Sequence, residues 1–166
     1  VRILCPMGRY GDQKSRYYVD PAMTKAEWQN AQRQEADKVA EWLASVAELD
    51  AYKPVPPKFI VVGLGANGAM SVLIALNRPE LVRQAYGTGG AVPSYWVAGA
   101  AKLDGKPSPL IRKLSYGDGV AADDAAQKAA AALGYDFQTM DLPEPPSEAT
   151  IQKWLLPQID DQLKLP

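Results

Sequence analysis

The stretch KFIVVGLGANGAMSVLIAL, residues 58–76, decides the fold of this chain. It opens with a continuous apolar run rich in β-branched residues, which predicts a buried strand over residues 58–63. Glycines follow, and the small and apolar residues after them predict a helix over residues 66–76. The turn between these elements, GLGANG, is typical of a phosphate site, of a nucleophile elbow, or of an elbow that has lost its nucleophile.

Strand and helix patterns alternate along the rest of the chain. A capping-box pair, Thr24 and Glu27, precedes an amphipathic helix predicted over residues 25–49. Further strands are predicted over residues 1–6, 81–87, 109–118 and 135–142, and further helices over residues 123–133 and 148–163. The alternation predicts an α/β fold with a mostly parallel sheet of about five strands and helices on both faces. We expect one domain, residues 1–166.

The composition excludes several classes of function. Apolar residues make up 47% of the chain, and the net charge of -1 leaves no basic stripe for binding nucleic acid. No apolar run approaches the roughly 20 residues that a transmembrane helix needs. Cys5 is the only cysteine, which excludes an internal disulfide and a cysteine-based zinc site and fits a reducing intracellular compartment.

The absence of histidine is the most restrictive of these counts. Histidine is the commonest general base and a common metal ligand near neutral pH. Without it, the chain contains no Ser-His-Asp or Cys-His catalytic arrangement and no histidine-ligated metal. We therefore expect no metal and no cofactor.

The turn GLGANG matches the G-x-G-x-x-G pattern that holds a dinucleotide pyrophosphate at a helix start. Its context departs from that pattern in two places. The next strand ends in YGTGG and offers no acidic residue, about 20 residues on, to bind a ribose. The turn also follows a strand that is not the first of the chain. A nucleotide-binding, Rossmann-like domain is therefore kept as an alternative interpretation.

The flanks of the turn favour a different family. IVVGLGANGAMSVLIALNRPELV resembles the nucleophile-elbow segment of the phospholipase/carboxylesterase branch of the α/β-hydrolases, which includes the acyl-protein thioesterases. That family has G-F-S-Q-G-G-A-M here, and Gly65 stands in the place of its serine. Weaker similarities follow in the family's order and cover most of the chain: RILCPMGR, KSRYYVDP, GTGGAVPSY and PLIRKLSYGDGVAADDAAQKAAAAL.

The resemblance implies that the family's catalytic triad is missing here. Its nucleophile position falls on Gly65, its acid position on Val120 and its histidine position on Pro146. Acyl transfer in this family needs a hydroxyl, an imidazole and a carboxylate at these places. We therefore expect no catalytic residues in this chain.

Acidic residues do lie near the predicted acid position. Asp118 occupies the neighbouring, non-catalytic place, and an acid role for Asp123 or Asp124 would require a shifted turn. The last two are expected to act as charges at a helix N-terminus, worth ~0.3–1 kcal/mol each.

A vestigial pocket and an interface are also expected. At the glycine turn, the amides of Ala66 and Asn67 at the helix start are placed to face a small anion or a carbonyl. The predicted pocket residues are Leu64, Gly65, Ala66 and Asn67. Tyr95 and Trp96, which look exposed in a predicted loop, are candidates for a protein interface.

One strand of the family has no counterpart in this sequence. The family's strand with the oxyanion motif lies in the sheet between the strands matched by residues 1–6 and 58–63. An unfilled place there would leave backbone groups without partners. We therefore expect a protein partner, or an N-terminal segment absent from this sequence, to complete the sheet near Val1 and Pro6.

Together these observations predict a non-catalytic, α/β-hydrolase-like protein that is N-terminally incomplete relative to the family. Its expected role is that of a structural or interaction subunit of a larger assembly. The alternative from the enzyme class is an active serine carboxylesterase or acyl-protein thioesterase, which would require different residues at the triad positions.

Overall fold

The computed structural model describes residues 10–11, 16–17, 22–49 and 59–163 of the chain. Its elements in chain order are β1 (Tyr10–Gly11), β2 (Arg16–Tyr17), α1 (Lys25–Ala47), β3 (Phe59–Gly63), α2 (Gly68–Asn77), β4 (Val82–Thr88), α3 (Ser94–Val97), β5 (Leu110–Tyr116), α4 (Gly119–Ala132), β6 (Asp136–Leu142) and α5 (Glu148–Leu163). The predicted alternation of strands and helices is confirmed. The strand predicted over residues 1–6 lies outside the described residues.

The main sheet contains four parallel strands in the order β3-β4-β5-β6. Each strand pairs with the strand that follows it in the chain, and the register runs from Phe59 beside Val82 to Tyr116 beside Leu142. The α/β class is as predicted; among the described residues the sheet has four strands, and the fifth predicted strand lies outside them. Among the described residues β3 has a neighbour on one side only, so it lies at an edge of the sheet. The short β1 and β2 form a separate antiparallel pair.

Helices cover both faces of this sheet. Right-handed crossovers that advance in one direction place their helices on a single face, and α1, α2 and α4 share one hydrophobic core. Ala85 of β4 belongs to that core, and the next residue, Tyr86, points to the opposite face. There α5 packs, with the Trp154 ring edge to face against Tyr86 at 5.7 Å between centroids. No described helix combines the length and apolar character that a bilayer span requires.

Local sequence rules explain the start of α1. The Glu27 N–H donates to the Thr24 hydroxyl at 3.4 Å, and the Thr24 N–H donates to the Glu27 carboxylate at 3.0 Å. Hydrogen bonds from the Thr24 hydroxyl and amide lower the pKa of the Glu27 carboxyl group. Farther along, Ala36, Ala40 and Leu43 form the buried stripe of the helix. The predicted capping box is confirmed.

Candidate functional site

The junction between β3 and α2 is a tight turn built around Gly65. The chain leaves the strand at Gly63, makes one 3₁₀ turn over Gly65–Asn67 and enters α2 at Gly68. Gly65 has a φ of +58°, in the left-handed region that glycine adopts without strain. No atom lies within 4 Å of the position that a Cβ would take at Gly65. The turn therefore leaves open space where a nucleophile elbow projects its side chain.

Close backbone packing holds this turn against the end of β4. A Cβ at Gly68 would overlap the Thr88 carbonyl oxygen, so the helix start approaches the strand this closely only as glycine. The Gly65 N–H donates to Thr88 Oγ1 at 3.2 Å. Ser71, inside α2, is buried and donates its hydroxyl to the Gly68 carbonyl at 2.9 Å. The Ser71 hydroxyl is therefore engaged within its own helix and does not project from the turn.

The three predicted triad positions follow the ends of three strands. Gly65 follows β3, Val120 lies half-buried in the first turn of α4, and Pro146 lies half-buried between β6 and α5. Because the strands are parallel, their carboxyl ends share one edge of the sheet, where α/β proteins bind ligands. The fold places all three positions along this edge. Their side chains offer no nucleophile, base or acid.

The predicted pocket at the turn is only partly available to a ligand. Leu64 is exposed and Asn67 is half-buried. The Asn67 N–H donates to the Leu64 carbonyl at 3.1 Å. The expectation that this amide faces a ligand is therefore wrong, because the 3₁₀ turn uses it internally. The side chain of Ala66 lies outside the described residues.

The two aromatic residues predicted at an interface differ in their surroundings. Tyr95 is 55% exposed, and its ring meets the Trp96 ring edge to face at 6.1 Å between centroids. Trp96 is only 2% exposed and belongs to the core, so the expectation that it is exposed is wrong. The cause is the short helix α3, which packs against α4 and turns Trp96 inward. Among the described residues, the buried Trp96 Nε1 has no hydrogen-bond acceptor.

A buried polar cluster lies between β5 and α4. The Asp123 carboxylate is 0% exposed and accepts hydrogen bonds from the Val92 N–H at 2.8 Å and from the Ser115 hydroxyl at 2.6 Å. It also forms an ion pair with Lys113, which is 1% exposed. Burial lowers the pKa of the Lys113 ammonium, and the charge and hydrogen bond of Asp123 act in the opposite direction.

The sequence interpretation missed this cluster, and the expectation that Asp123 acts as a charge at a helix N-terminus is wrong. Asp123 lies one turn into α4, where the helix faces the sheet, and not at the solvent-exposed start. A signal was available in β5, whose sequence is LIRKLSY. Because side chains alternate along a strand, Ile111, Lys113 and Ser115 share one face, and Ile111 belongs to the core. A lysine on a core-facing position requires a buried partner.

A shallow depression of about 410 Å³ lies elsewhere, between α1, the end of α2 and residues 99–101. Its charged lining residues are Asp37, Glu41 and Arg78. It sits at the far end of α2 from Gly65, so it is separate from the carboxyl edge of the sheet. Within the parts of the chain that the structure describes, no three acidic, cysteine or histidine side chains cluster as metal ligands would.

Comparison with known proteins adds no assignment. No protein-family model matches the chain, and no curated protein has a significantly similar sequence.

Proposed function

We propose that this chain is a non-catalytic relative of the α/β-hydrolases that acts as an interaction subunit of a larger assembly. The proposal rests mainly on the conformation and surroundings of Gly65. This glycine occupies the left-handed position of a strand–helix turn, with open space around it and no side chain to fill that space. A strained nucleophile position is relieved by glycine once catalysis is no longer required.

Three further features support the absence of acyl chemistry. The acid and histidine positions of the family fall on Val120 and Pro146, beside the carboxyl ends of β5 and β6. The chain has no histidine at all. Removal of triad members leaves only residual catalysis in such enzymes, and here no group is present to activate a nucleophile.

Ester hydrolysis tests this part of the proposal. The purified chain should hydrolyse short p-nitrophenyl esters no faster than a heat-killed sample. The variant Gly65→Ser places a hydroxyl at the turn and should remain equally inactive, because no described side chain within 4 Å of the new Cβ can act as a base. Turnover by the unmodified chain above the heat-killed control would contradict the proposal.

The edge strand β3 supports an interaction role. Its sequence FIVVG contains no charged residue and no proline, and Val62 is 41% exposed. Edges that remain free in solution are usually protected by charges, prolines or a covering segment. The opposite edge, β6, follows that rule with Asp136 and Asp141. We therefore place the partner at the edge of β3 that no described strand covers, where a further strand can complete the sheet.

A matched pair of variants tests the interface. Val62→Lys places a charge beside the edge of β3, and Met140→Lys places one on an exposed residue of β6. In complexes purified from native cells through a tagged chain, Val62→Lys should lose the partner and Met140→Lys should retain it. Protection from hydrogen exchange, in the isolated chain, of the β3 amides that point away from β4 would instead mean that the chain covers its own edge, and would contradict this part.

A further inference from the structure

The loop after β4 is fixed at three points on the carboxyl side of the sheet. At its start, Thr88 accepts a hydrogen bond from the Gly65 N–H through Oγ1 at 3.2 Å. At its end, the Val92 N–H donates to Asp123 Oδ1 at 2.8 Å. Between these points, Gly89 and Gly90 have φ values of +68° and +59°. The Gly89 N–H also donates to the Leu114 carbonyl of β5 at 3.2 Å. Glycines restrict the backbone least, so the shape of the loop depends on these three attachments.

Asp123 can serve as an attachment inside the core only because its charge is compensated. An unpaired carboxylate at such a buried position would strongly destabilise the fold. Lys113 pairs with Oδ2, and Ser115 donates to the same oxygen at 2.6 Å. The other oxygen, Oδ1, is thereby left to accept from Val92. The two carboxylate oxygens thus accept from different donors.

Steric contacts connect the loop to the Gly65 turn. The Thr88 and Gly89 carbonyls occupy the space that a side chain at Gly68 would need, so the start of α2 rests on the loop. On the other side, the Tyr116 hydroxyl lies 2.6 Å from the position of a Cβ at Gly89. A displacement of the loop would therefore reach α2 and the Gly65 turn, since closely packed groups transmit strain.

We propose that Asp123, neutralised by Lys113, is a positioning residue that fixes the loop after β4 and, through Thr88, the backbone amide of Gly65. An apolar pair at these two positions can match an ion pair in stability. Such an apolar pair cannot accept the hydrogen bond of the Val92 N–H. The proposal is independent of the function proposed above, because it concerns the geometry of the turn and not its chemistry.

The test compares two double variants that both remove the buried charges. Lys113→Met with Asp123→Asn keeps an acceptor oxygen for the Val92 N–H, whereas Lys113→Met with Asp123→Leu removes it. Amide hydrogen exchange, measured by NMR on the full chain, reports the Gly65 N–H. We expect this amide to exchange about tenfold faster in the leucine variant than in the asparagine variant, as for the loss of one hydrogen bond.

The Tyr135 N–H, which donates to the Ala130 carbonyl at 3.0 Å at the far end of α4, is the internal control. A general loss of stability would accelerate Tyr135 and Gly65 alike, whereas positioning affects Gly65 selectively. Equal protection of Gly65 in the two folded variants, or a parallel change at Tyr135, would overturn the proposal.

Should the leucine variant fail to fold, Thr88→Val supplies the reverse measurement. Coupling between two sites is reciprocal, so loss of the Thr88 attachment should accelerate exchange at the Val92 N–H selectively. An unchanged Val92 amide in that variant would overturn the proposal equally.

Discussion

The β3–α2 and β5–α4 junctions share a backbone conformation but differ in the residues packed behind it. Each places a glycine in the left-handed region after a strand: Gly65 at φ +58° and Gly117 at φ +57°, both with no atom within 4 Å of a Cβ position. The helices that follow begin with Gly68 and Gly119. The two turns thus have similar backbone conformations and similar open space.

The packing behind the two turns differs. Gly68 is pressed against the carbonyl of Thr88, whereas a Cβ at Gly119 would meet its nearest atoms at 3.9 Å. Behind the first turn, buried Ser71 bonds only to its own helix. Behind the second, Asp123 joins the helix to a strand and to a loop. The local sequence thus determines the backbone conformation of each turn. The residues packed beneath a turn determine which substitutions it tolerates.

The largest difference in stability between the junctions is expected when their buried polar residues are substituted. Asp123→Ala leaves Lys113 buried without its partner, so we expect a loss of ~3–5 kcal/mol in the free energy of unfolding. Ser71→Ala removes one local hydrogen bond and should cost ~1 kcal/mol. Chemical denaturation of both variants measures the two losses. Similar values would mean that the Lys113–Asp123 pair contributes no more than a local bond.

The second-largest difference in stability is expected for alanine substitutions at the first residues of the two helices. Gly68→Ala forces the helix start away from Thr88 and should destabilise the fold by ~1–3 kcal/mol, as overpacking does. Gly119→Ala meets no obstacle and replaces a poor helix residue, so it should stabilise the fold by up to ~1 kcal/mol. Thermal and chemical unfolding report both changes. An unchanged free energy of unfolding in Gly68→Ala would contradict the expected steric difference between Gly68 and Gly119.

The left-handed glycines should behave alike. An alanine at Gly65 or at Gly117 has space for its side chain but must adopt a left-handed backbone, which costs ~1–2 kcal/mol. We expect equal losses of unfolding free energy at the two positions. A much greater loss at Gly65 would indicate that its turn is restrained by packing as well as by conformation.

The smallest effects should come from the residues that precede the helices. Asn67 and Asp118 are the N-caps of α2 and α4, and neither side chain makes a capping hydrogen bond. Asn67→Asp adds a negative charge at a helix N-terminus and should stabilise by ~0.3–1 kcal/mol, and Asp118→Asn should destabilise by a similar amount. Both effects should shrink at high salt. Persistence at high salt would point to a hydrogen bond in place of a charge effect.

The sequence predicted the path of the backbone better than the placement of side chains. Residues 58–76 carry a strand, a turn and a helix in their local pattern, and the structure has β3, the Gly65 turn and α2 there. Propensity and periodicity act over a few residues, so such features can be read without knowledge of the fold. The order of strands in the sheet is less accessible from sequence, because pairing joins residues that are distant in the chain.

The misplaced side chains have tertiary causes. Trp96 was expected on the surface because its neighbours resemble a loop, but α3 turns it into the core. Asp123 was expected to act as a charge at a helix N-terminus, because the helix was predicted to begin there, but α4 begins four residues earlier. Its burial depends on Lys113, ten residues earlier, and on the amide of Val92. Neither partner is implied by the sequence near Asp123.

The strand order described above has a consequence for ligand binding. Open α/β sheets hold their ligands where the winding direction of the chain reverses. From β3 to β6 every connection advances one strand in the same direction, so the described sheet contains no such reversal. A reversal adjoining Gly65 arises only when another strand joins β3 on the side where the structure describes no neighbour. Completion of the sheet and creation of a binding crevice would then be a single event.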